Sequence, residues 1–422
     1  MTLLAAVALI LLALIGLPLF AALGAGSLLL AHHNQLDPAL LIIELNRLAG
    51  SPNLIAIPLF TFAGVVLAAG GAPQRLIRAF NACVGWMPGG LAGAALAACA
   101  FFTSFSGASG VTILALGGLL LPMLTGVRYP ERFSLGLLTT SGSLGLLFPP
   151  SLAILLYGIV AGVNIDELFA AGLVPGTLLL IMLSVYASAT GLRVNVPRQP
   201  FSASALLAAV RSSAGDLLLP VLLIVGIFGG FVTVTEASAF TALYVLLLEA
   251  GLHRTIDLRR QLLDLLAETG VLAGSILIIL GVAMGLTNLL IDLQLPMKLL
   301  GWMQNGVDSQ LQFLLLLNLF LLLVGSMMDI FSATVVVVPL ILPLAQRFNV
   351  DPVHLGIVFL ANLEIGYSTP PVGLNLFIAS QRFRKPVLTL FRAALPFLAI
   401  MLAWLALITY FPVFSLWWRS LR

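Results

Sequence analysis

Apolar runs of about 20 residues recur along this chain with only short polar interruptions, and that is the length an α-helix needs to cross a bilayer. Backbone N–H and C=O groups inside lipid must find partners within the protein, and helical runs satisfy them. The composition agrees. Of 422 residues, 61% are hydrophobic and 8% charged, with a mean hydropathy of +1.15; a soluble domain carries about 25% charged residues. The fold class is therefore an all-α polytopic membrane protein. A net charge of +3, spread thinly, excludes a nucleic-acid-binding surface and reads instead as topology. Cys83 and Cys99 show no metal-ligand spacing, and His32, His33, His253 and His354 form no ligand cluster. The N-terminal segment lacks a basic n-region and reads as a first span rather than a cleaved signal.

Spans are predicted at residues 3–30, 53–71, 134–164, 168–191, 216–233, 235–250, 266–291, 353–380 and 388–413. Residues 91–124 and 311–344 differ. Each is too long for one ordinary span and carries small polar residues at its centre, so each is expected to be a re-entrant helical hairpin. A leg of about 12 residues, or about 18 Å, would bring the tip to the middle of a hydrocarbon core about 30 Å thick. Irregular backbone survives there only where protein or water covers it.

The two hairpins belong to a repeat. A shift of 221 carries Pro122 onto Pro343, Gly145 onto Gly366, Pro149 onto Pro370 and Pro150 onto Pro371. "SLGLLFPPSLAILL" lies over "EIGYSTPPVGLNLF" without a gap, which makes two broken helices of one register. Placing the loops at 75–78, 128–132, 193–211, 254–260 and 382–392 in the cytoplasm puts 14 of the 19 Lys and Arg there. The halves are then inverted in the membrane. Inverted repeats with broken helices are typical of secondary transporters, whose sites lie near the midplane.

Four segments would meet at that depth: "TSFSGASG" (103–110), "TTSGSLG" (139–145), "GSMMDIFSAT" (325–334) and "ANLEIGYSTPP" (361–371). Gly and Pro free carbonyls from the helix ladder, and Ser, Thr, Asn and Asp add oxygens that suit a hard cation; half-helix N-termini favour an anion. Asp329 at the second tip suits either ion binding or pairing with a nearby backbone donor. Glu364 and Glu236 are expected to have structural roles such as helix capping. Ser and Thr in such helices commonly bond the carbonyl one turn back, and prolines also kink helices that hold no ligand. No nucleotide loop, zinc-protease pair or Ser–His–Asp set accompanies these residues, so neither an enzyme nor an ATP-driven pump is expected. Residues 37–48, 75–90 and 294–307 read as amphipathic segments, either arms bracing a moving domain or interfacial anchors.

"FTSFSGASGVTILALGGLLLPML", "YPERFSLGLLTTSGSLGLLFPPSLAILLYG", "GGFVTVTEASA", "GSMMDIFSATVVVVPLILP" and "IGYSTPPVGLNLF", in that order, resemble the large membrane subunit of tripartite ATP-independent periplasmic (TRAP) transporters. The resemblance implies an elevator-type, sodium-driven importer of organic acids in a bacterial inner membrane, with C4-dicarboxylates the default substrate. It implies Na⁺ as coupling ion, and as partners a small four-helix membrane subunit on a separate chain and a periplasmic substrate-binding protein. The transport domain would comprise residues 91–165 and 311–380, with scaffold and arms in 1–90, 166–310 and 381–422. One Na⁺ site would use Ser106, Gly107, Ser109, Ser141 and Gly145, the other Ser332, Thr334, Asn362, Gly366 and Thr369. Substrate would meet Ser106, Ser109, Thr139, Ser143, Asp329, Thr334 and Ser368. A stand-alone dicarboxylate or citrate carrier, and a membrane scaffold or sensor that moves no solute, are the alternatives.

Overall fold

The computed structural model describes residues 19–39, 42, 43, 46, 50, 52–107, 109–197, 200, 202–293, 307 and 309–421. Residues 3–18 of the predicted first span, much of 37–48 and almost all of 294–307 lie outside them. The described residues form helices and no strand. In chain order these are α1 (Leu19–His33), α2 (Ala56–Ala69), α3 (Ala72–Val84), α4 (Gly90–Ser106), α5 (Ser109–Gly126), α6 (Glu131–Ser141), α7 (Leu152–Ala161), α8 (Ile165–Arg193) and α9 (Ala203–Phe228). They continue with α10 (Val234–Leu246), α11 (Leu258–Asp292), α12 (Gln310–Met327), α13 (Ile330–Arg347), α14 (Pro352–Gly366), α15 (Leu374–Phe383), α16 (Val387–Tyr410) and α17 (Val413–Leu416). By length and composition, 8 of the described helical segments can cross a membrane, or up to 10 if each of two bent pairs is one span.

Local chemistry sets the ends. The Asn164 side chain accepts from Asp166 N–H at 2.9 Å to start α8, and Asp351 accepts from Val353 N–H at 2.8 Å to start α14, which has Pro at its first turn. Thr233 and Glu236 form a reciprocal capping box at the start of α10, the structural role expected of Glu236. Gly70 and Gly71 separate α2 from α3, which meet at 76°.

The 221-residue spacing recurs in the helix boundaries. Ser109 and Ile330, which open α5 and α13, are 221 positions apart, as are Glu131 and Pro352, which open α6 and α14. The packing is reciprocal as well: α5 lies on α15, and α13 lies on α7, so each hairpin's second leg packs on the helix beyond the other half's break. Two groups of helices result. One contains α4–α8 with α12–α16; the other contains α1–α3 with α9–α11, and contacts the first chiefly where α2 and α3 meet α4 and where α11 meets α13.

Hairpin legs are longer than expected. They hold 17 or 18 residues each, about 26 Å at 1.5 Å per residue. The polar clusters do not end the helices, because their hydroxyls bond within the helix: Thr103 donates to the Cys99 carbonyl at 2.8 Å and Thr334 to that of Ile330 at 2.6 Å. The reversal waits for Gly107, which caps α4 at φ 65°, and for Met328 in the second hairpin.

Candidate ion and substrate site

Each break packs against a hairpin leg through a glycine. A Cβ on Gly145 would lie 2.3 Å from the Ala100 carbonyl and 2.4 Å from Ser104 N; on Gly366 it would lie 2.4 Å from the Gly325 carbonyl carbon and 2.7 Å from Ser326 N. No other residue permits this approach. After Gly145 the first break runs through a 3₁₀ turn (Leu144–Leu147) to Pro149–Pro150 before α7, and the two parts of this span meet at 46°. The second runs from Gly366 through Pro370–Pro371 to α15, and Val372 and Gly373 donate N–H to the Ser326 carbonyl at 3.1 and 2.9 Å. Both Pro–Pro bonds are cis.

The two breaks also touch each other. Ser143 Oγ donates to the Glu364 carbonyl at 3.4 Å, and these residues are themselves 221 positions apart, so the contact lies between equivalent points of the repeat. Asn375 Nδ2, just past the second break, donates to Ser143 Oγ at 3.5 Å.

Around these contacts the expected residues take distinct positions. Ser106, Gly107 and Ser109 form the first tip, where the Ser109 carbonyl would lie 3.1 Å from a Cβ on Gly142 in the first break. The Thr103 hydroxyl also lies 2.9 Å from the Gly142 carbonyl and 2.7 Å from the Thr112 hydroxyl, which brings both legs against that break. Ser141 is buried beside the Cys99 thiol. In the second half, Tyr367 in the break meets Ile330 N–H at the tip through its hydroxyl, 2.5 Å away. Asn362 lies one turn before Gly366 on α14, and its Nδ2 donates to Asn318 Oδ1 on α12 at 2.7 Å.

The polar atoms are mostly acceptors. Thr139, Thr334 and Thr369 commit their hydroxyl protons to the carbonyls of Leu135, Ile330 and Ile365, which leaves oxygen lone pairs to face a ligand. Ser141 Oγ, Asn362 Oδ1, Asn375 Oδ1, Ser368 Oγ and both Glu364 carboxylate oxygens are buried with no hydrogen-bond partner among the described residues. Buried polar groups are almost always satisfied, so each of these oxygens is a candidate ligand for a cation. Hydroxyl, amide and carboxylate oxygens of this kind suit a hard cation.

Asp329 takes the backbone-pairing alternative: it caps α13, its carboxylate accepting from Phe331 and Ser332 N–H at 3.0 Å each and from the Ser332 hydroxyl. One expectation changes. Glu364 caps nothing. It sits inside the last turn of α14, fully buried, where no backbone N–H is free to receive its side chain. The sequence reading missed Asn318 and Asn375 and did not single out Thr103 and Tyr367 within segments 103–110 and 361–371; a single Asn inside an unbroken Leu-rich leg or after a double proline was the available signal for the first two.

Arg75, taken as a cytoplasmic loop charge, is buried. It bridges α3 to α9 and to the π-helical turn that follows α10 (Leu247–Leu252): Nε and Nη2 donate to Asp216 at 2.7 and 2.8 Å, and the guanidinium also meets Glu249.

The profile of the tripartite ATP-independent periplasmic transporter DctM component matches residues 6–414. The chain belongs to that family. It is a TRAP large permease, a multi-pass protein of the bacterial inner membrane, and its family works with a substrate-binding protein and a small membrane subunit. Among its relatives, the "C4-dicarboxylate TRAP transporter large permease protein DctM" of Pseudomonas aeruginosa is 36% identical over 377 residues, covering 89% of this permease and 88% of that protein. The "isethionate TRAP transporter permease protein DctMQ" of Oleidesulfovibrio alaskensis is 32% identical over 371 residues, covering 87% of this permease and 58% of the longer relative. Both are named as permeases, not enzymes. A crystal structure of the Alcanivorax borkumensis YdaH transporter superposes with a TM-score of 0.62 at 15% identity, covering 89% of this permease and 88% of that chain, a likeness of fold alone.

Proposed function

We propose that this permease imports a small organic acid, a C4-dicarboxylate in the first instance, by sodium symport, receiving it from a periplasmic binding protein and working with a separate small subunit. The carrying observation is the set of buried, unpartnered oxygens on and beside the two helix breaks, which contact each other through Ser143 and Glu364. Na⁺ satisfies such oxygens without a proton. One ion lies among Ser106, Gly107, Ser109, Ser141 and Gly145, the other among Ser332, Thr334, Asn362, Gly366 and Thr369. The substrate carboxylate sits beside them, within reach of Ser106, Ser109, Thr139, Ser143, Thr334 and Ser368, where bound cations offset its charge. Asp329 is set aside as the α13 cap.

Loading Na⁺ and substrate together leaves no bare charge in the moving body, which lowers the cost of carrying it through apolar surroundings. The two halves form inverted repeats with re-entrant hairpins, and the body moves as an elevator against the scaffold. Trp404 of α16 donates to the Pro175 carbonyl of α8 at 2.9 Å, and both helices pack on hairpin-bearing halves. The moving body is therefore drawn to include α8 and α16, beyond the boundaries at 165 and 380.

The test is uptake of labelled succinate into proteoliposomes holding the permease and its small subunit, with binding protein outside. Uptake driven by an inward Na⁺ gradient without ATP, and dependent on the binding protein, is the expected result. Uptake that persists with neither gradient nor binding protein overturns the proposal.

A further inference from the structure

The first leg of the second hairpin, α12, is Leu-rich, and Leu311, Leu315, Leu319 and Leu323 are exposed on one side of it. Asn318 lies on the opposite, buried side with Phe313, Leu314, Leu317 and Leu321. A polar amide there is costly unless bonded at both ends. Both ends are bonded. Its Oδ1 accepts from Asn362 Nδ2 at 2.7 Å, and its own Nδ2 donates to Thr409 Oγ1 on α16 at 3.2 Å. The line continues: the Thr409 carbonyl lies 3.2 Å from His354 Nε2, and His354 Nδ1 lies 2.7 Å from Ser415 Oγ.

The consequence falls on Asn362. Its Nδ2 donates to Asn318 Oδ1 and also to the Val358 carbonyl at 2.8 Å, so both amide hydrogens are engaged. The amide plane is thereby fixed with Oδ1 turned away from Asn318, fully buried and without a donor. An Asn amide is nearly isosteric about its long axis, so only its partners decide whether oxygen or NH₂ faces a ligand. A cation needs the oxygen; the flipped amide would aim two N–H dipoles at it.

We propose that Asn318 is a positioning residue for the coupling cation: it holds the Asn362 amide in the one orientation that presents Oδ1. Asn318 touches no ion. It acts through Asn362, and through Thr409 it ties that orientation to α16. The inference rests on the reading that Asn362 contributes to an Na⁺ site.

The experiment measures succinate uptake by the reconstituted complex against Na⁺ concentration for wild type, Asn318→Leu and Asn318→Asp. Leucine removes the acceptor for Asn362 and frees the amide to flip; half-saturating Na⁺ should rise about tenfold, within the range seen when partners of ion ligands are removed, with a smaller change in maximal rate. Aspartate keeps an acceptor for Asn362 and can accept from the Thr409 hydroxyl, so its half-saturating Na⁺ should stay within about threefold of wild type. A purely structural role would lower maximal rate and thermal midpoint in both variants and leave the Na⁺ dependence in place; that pattern overturns the proposal. If the leucine variant does not fold, Asn318→Ala provides the same comparison, and unchanged Na⁺ dependence there also overturns it. Uptake by wild type that ignores Na⁺ would refute the sodium reading itself, an outcome visible in the same assay before any variant is compared.

Discussion

Replacing Arg75 by methionine tests the anchoring of α3, the helix that leads into the first hairpin. Asp216 and Glu249 are both 0% exposed at their side chains, and among the described residues Arg75 is the one donor to Asp216. Glu249 is better supplied: Gly71 N–H donates to it at 3.2 Å and so does the Thr255 hydroxyl. The penalty of losing the guanidinium therefore falls on Asp216. Removing one partner of a buried ion pair costs about 3–5 kcal/mol, because the other charge is stranded. At about 2.1 cal/mol/K per residue, each kcal/mol moves the unfolding midpoint of a 422-residue chain by about 1 °C, so Arg75→Met should lose roughly 3–5 °C.

The double variant Arg75→Met/Asp216→Leu discriminates this account from lost packing. It removes the stranded carboxylate and keeps both remaining donors on Glu249, so most of the loss should return, leaving a deficit of about 1–2 kcal/mol. Thermal unfolding in detergent, read by tryptophan fluorescence at fixed scan rate, supplies the midpoints. A single variant within 1 °C of wild type, or a double variant no better than the single, would refute the reasoning. Since α3 packs on α4, the single variant should also slow uptake in proteoliposomes more than it shifts half-saturating Na⁺.

Gly145→Ala and Gly366→Ala should each abolish uptake, since the new Cβ meets rigid backbone at 2.3–2.4 Å; folded protein with normal uptake in either would show that the breaks are not held against the hairpins. Glu364→Gln should keep or raise the midpoint in Na⁺-free buffer, because the amide removes a buried charge with no partner, and a clear fall would reveal a counter-ion bound without Na⁺. Trp404→Phe leaves the Pro175 carbonyl without its donor and should cost about 1–3 kcal/mol in thermal unfolding. A neutral result there would argue against treating α8 and α16 as one body.

What could be read beforehand followed from how local each signal is. The breaks were legible because Gly and Pro act on their own backbone, and because the same pairs recur 221 residues later. The Thr233–Glu236 box was legible for the same reason, its two members being three residues apart. Arg75 was not. Its partners lie 141 and 174 positions away, and an arginine near a helix end looks identical whether it faces the cytoplasm or a buried carboxylate. Asn318 fell to a related ambiguity: one amide in a leucine run says that something polar faces it, and only the folded chain says that Asn362 does. Leg length was misjudged because hydroxyls in mid-run suggested an interruption, whereas they satisfy themselves on the preceding turn and let the helix continue.

The repeat also permits an argument that neither half permits alone. If residues 221 apart are equivalent, as the matching helix boundaries suggest, differences between them mark where the two halves diverge. Ser141 corresponds to Asn362, Ser143 to Glu364, Leu147 to Ser368 and Ile154 to Asn375; in each case the second half has the larger polar group or the only one. The buried oxygens without a partner lean the same way, since Asn362, Glu364, Ser368 and Asn375 belong to the second half and Ser141 to the first. The first half instead spends its extra hydroxyls internally, with Thr103 and Thr112 bonded to one another where the second half has Val324 and Ala333. Equal backbone with unequal oxygens means that two ions bound at the two breaks would not be held alike. Among the described residues the second half carries the one buried carboxylate without a donor, so on the proposed two-ion reading the more charge-dependent ion is expected there.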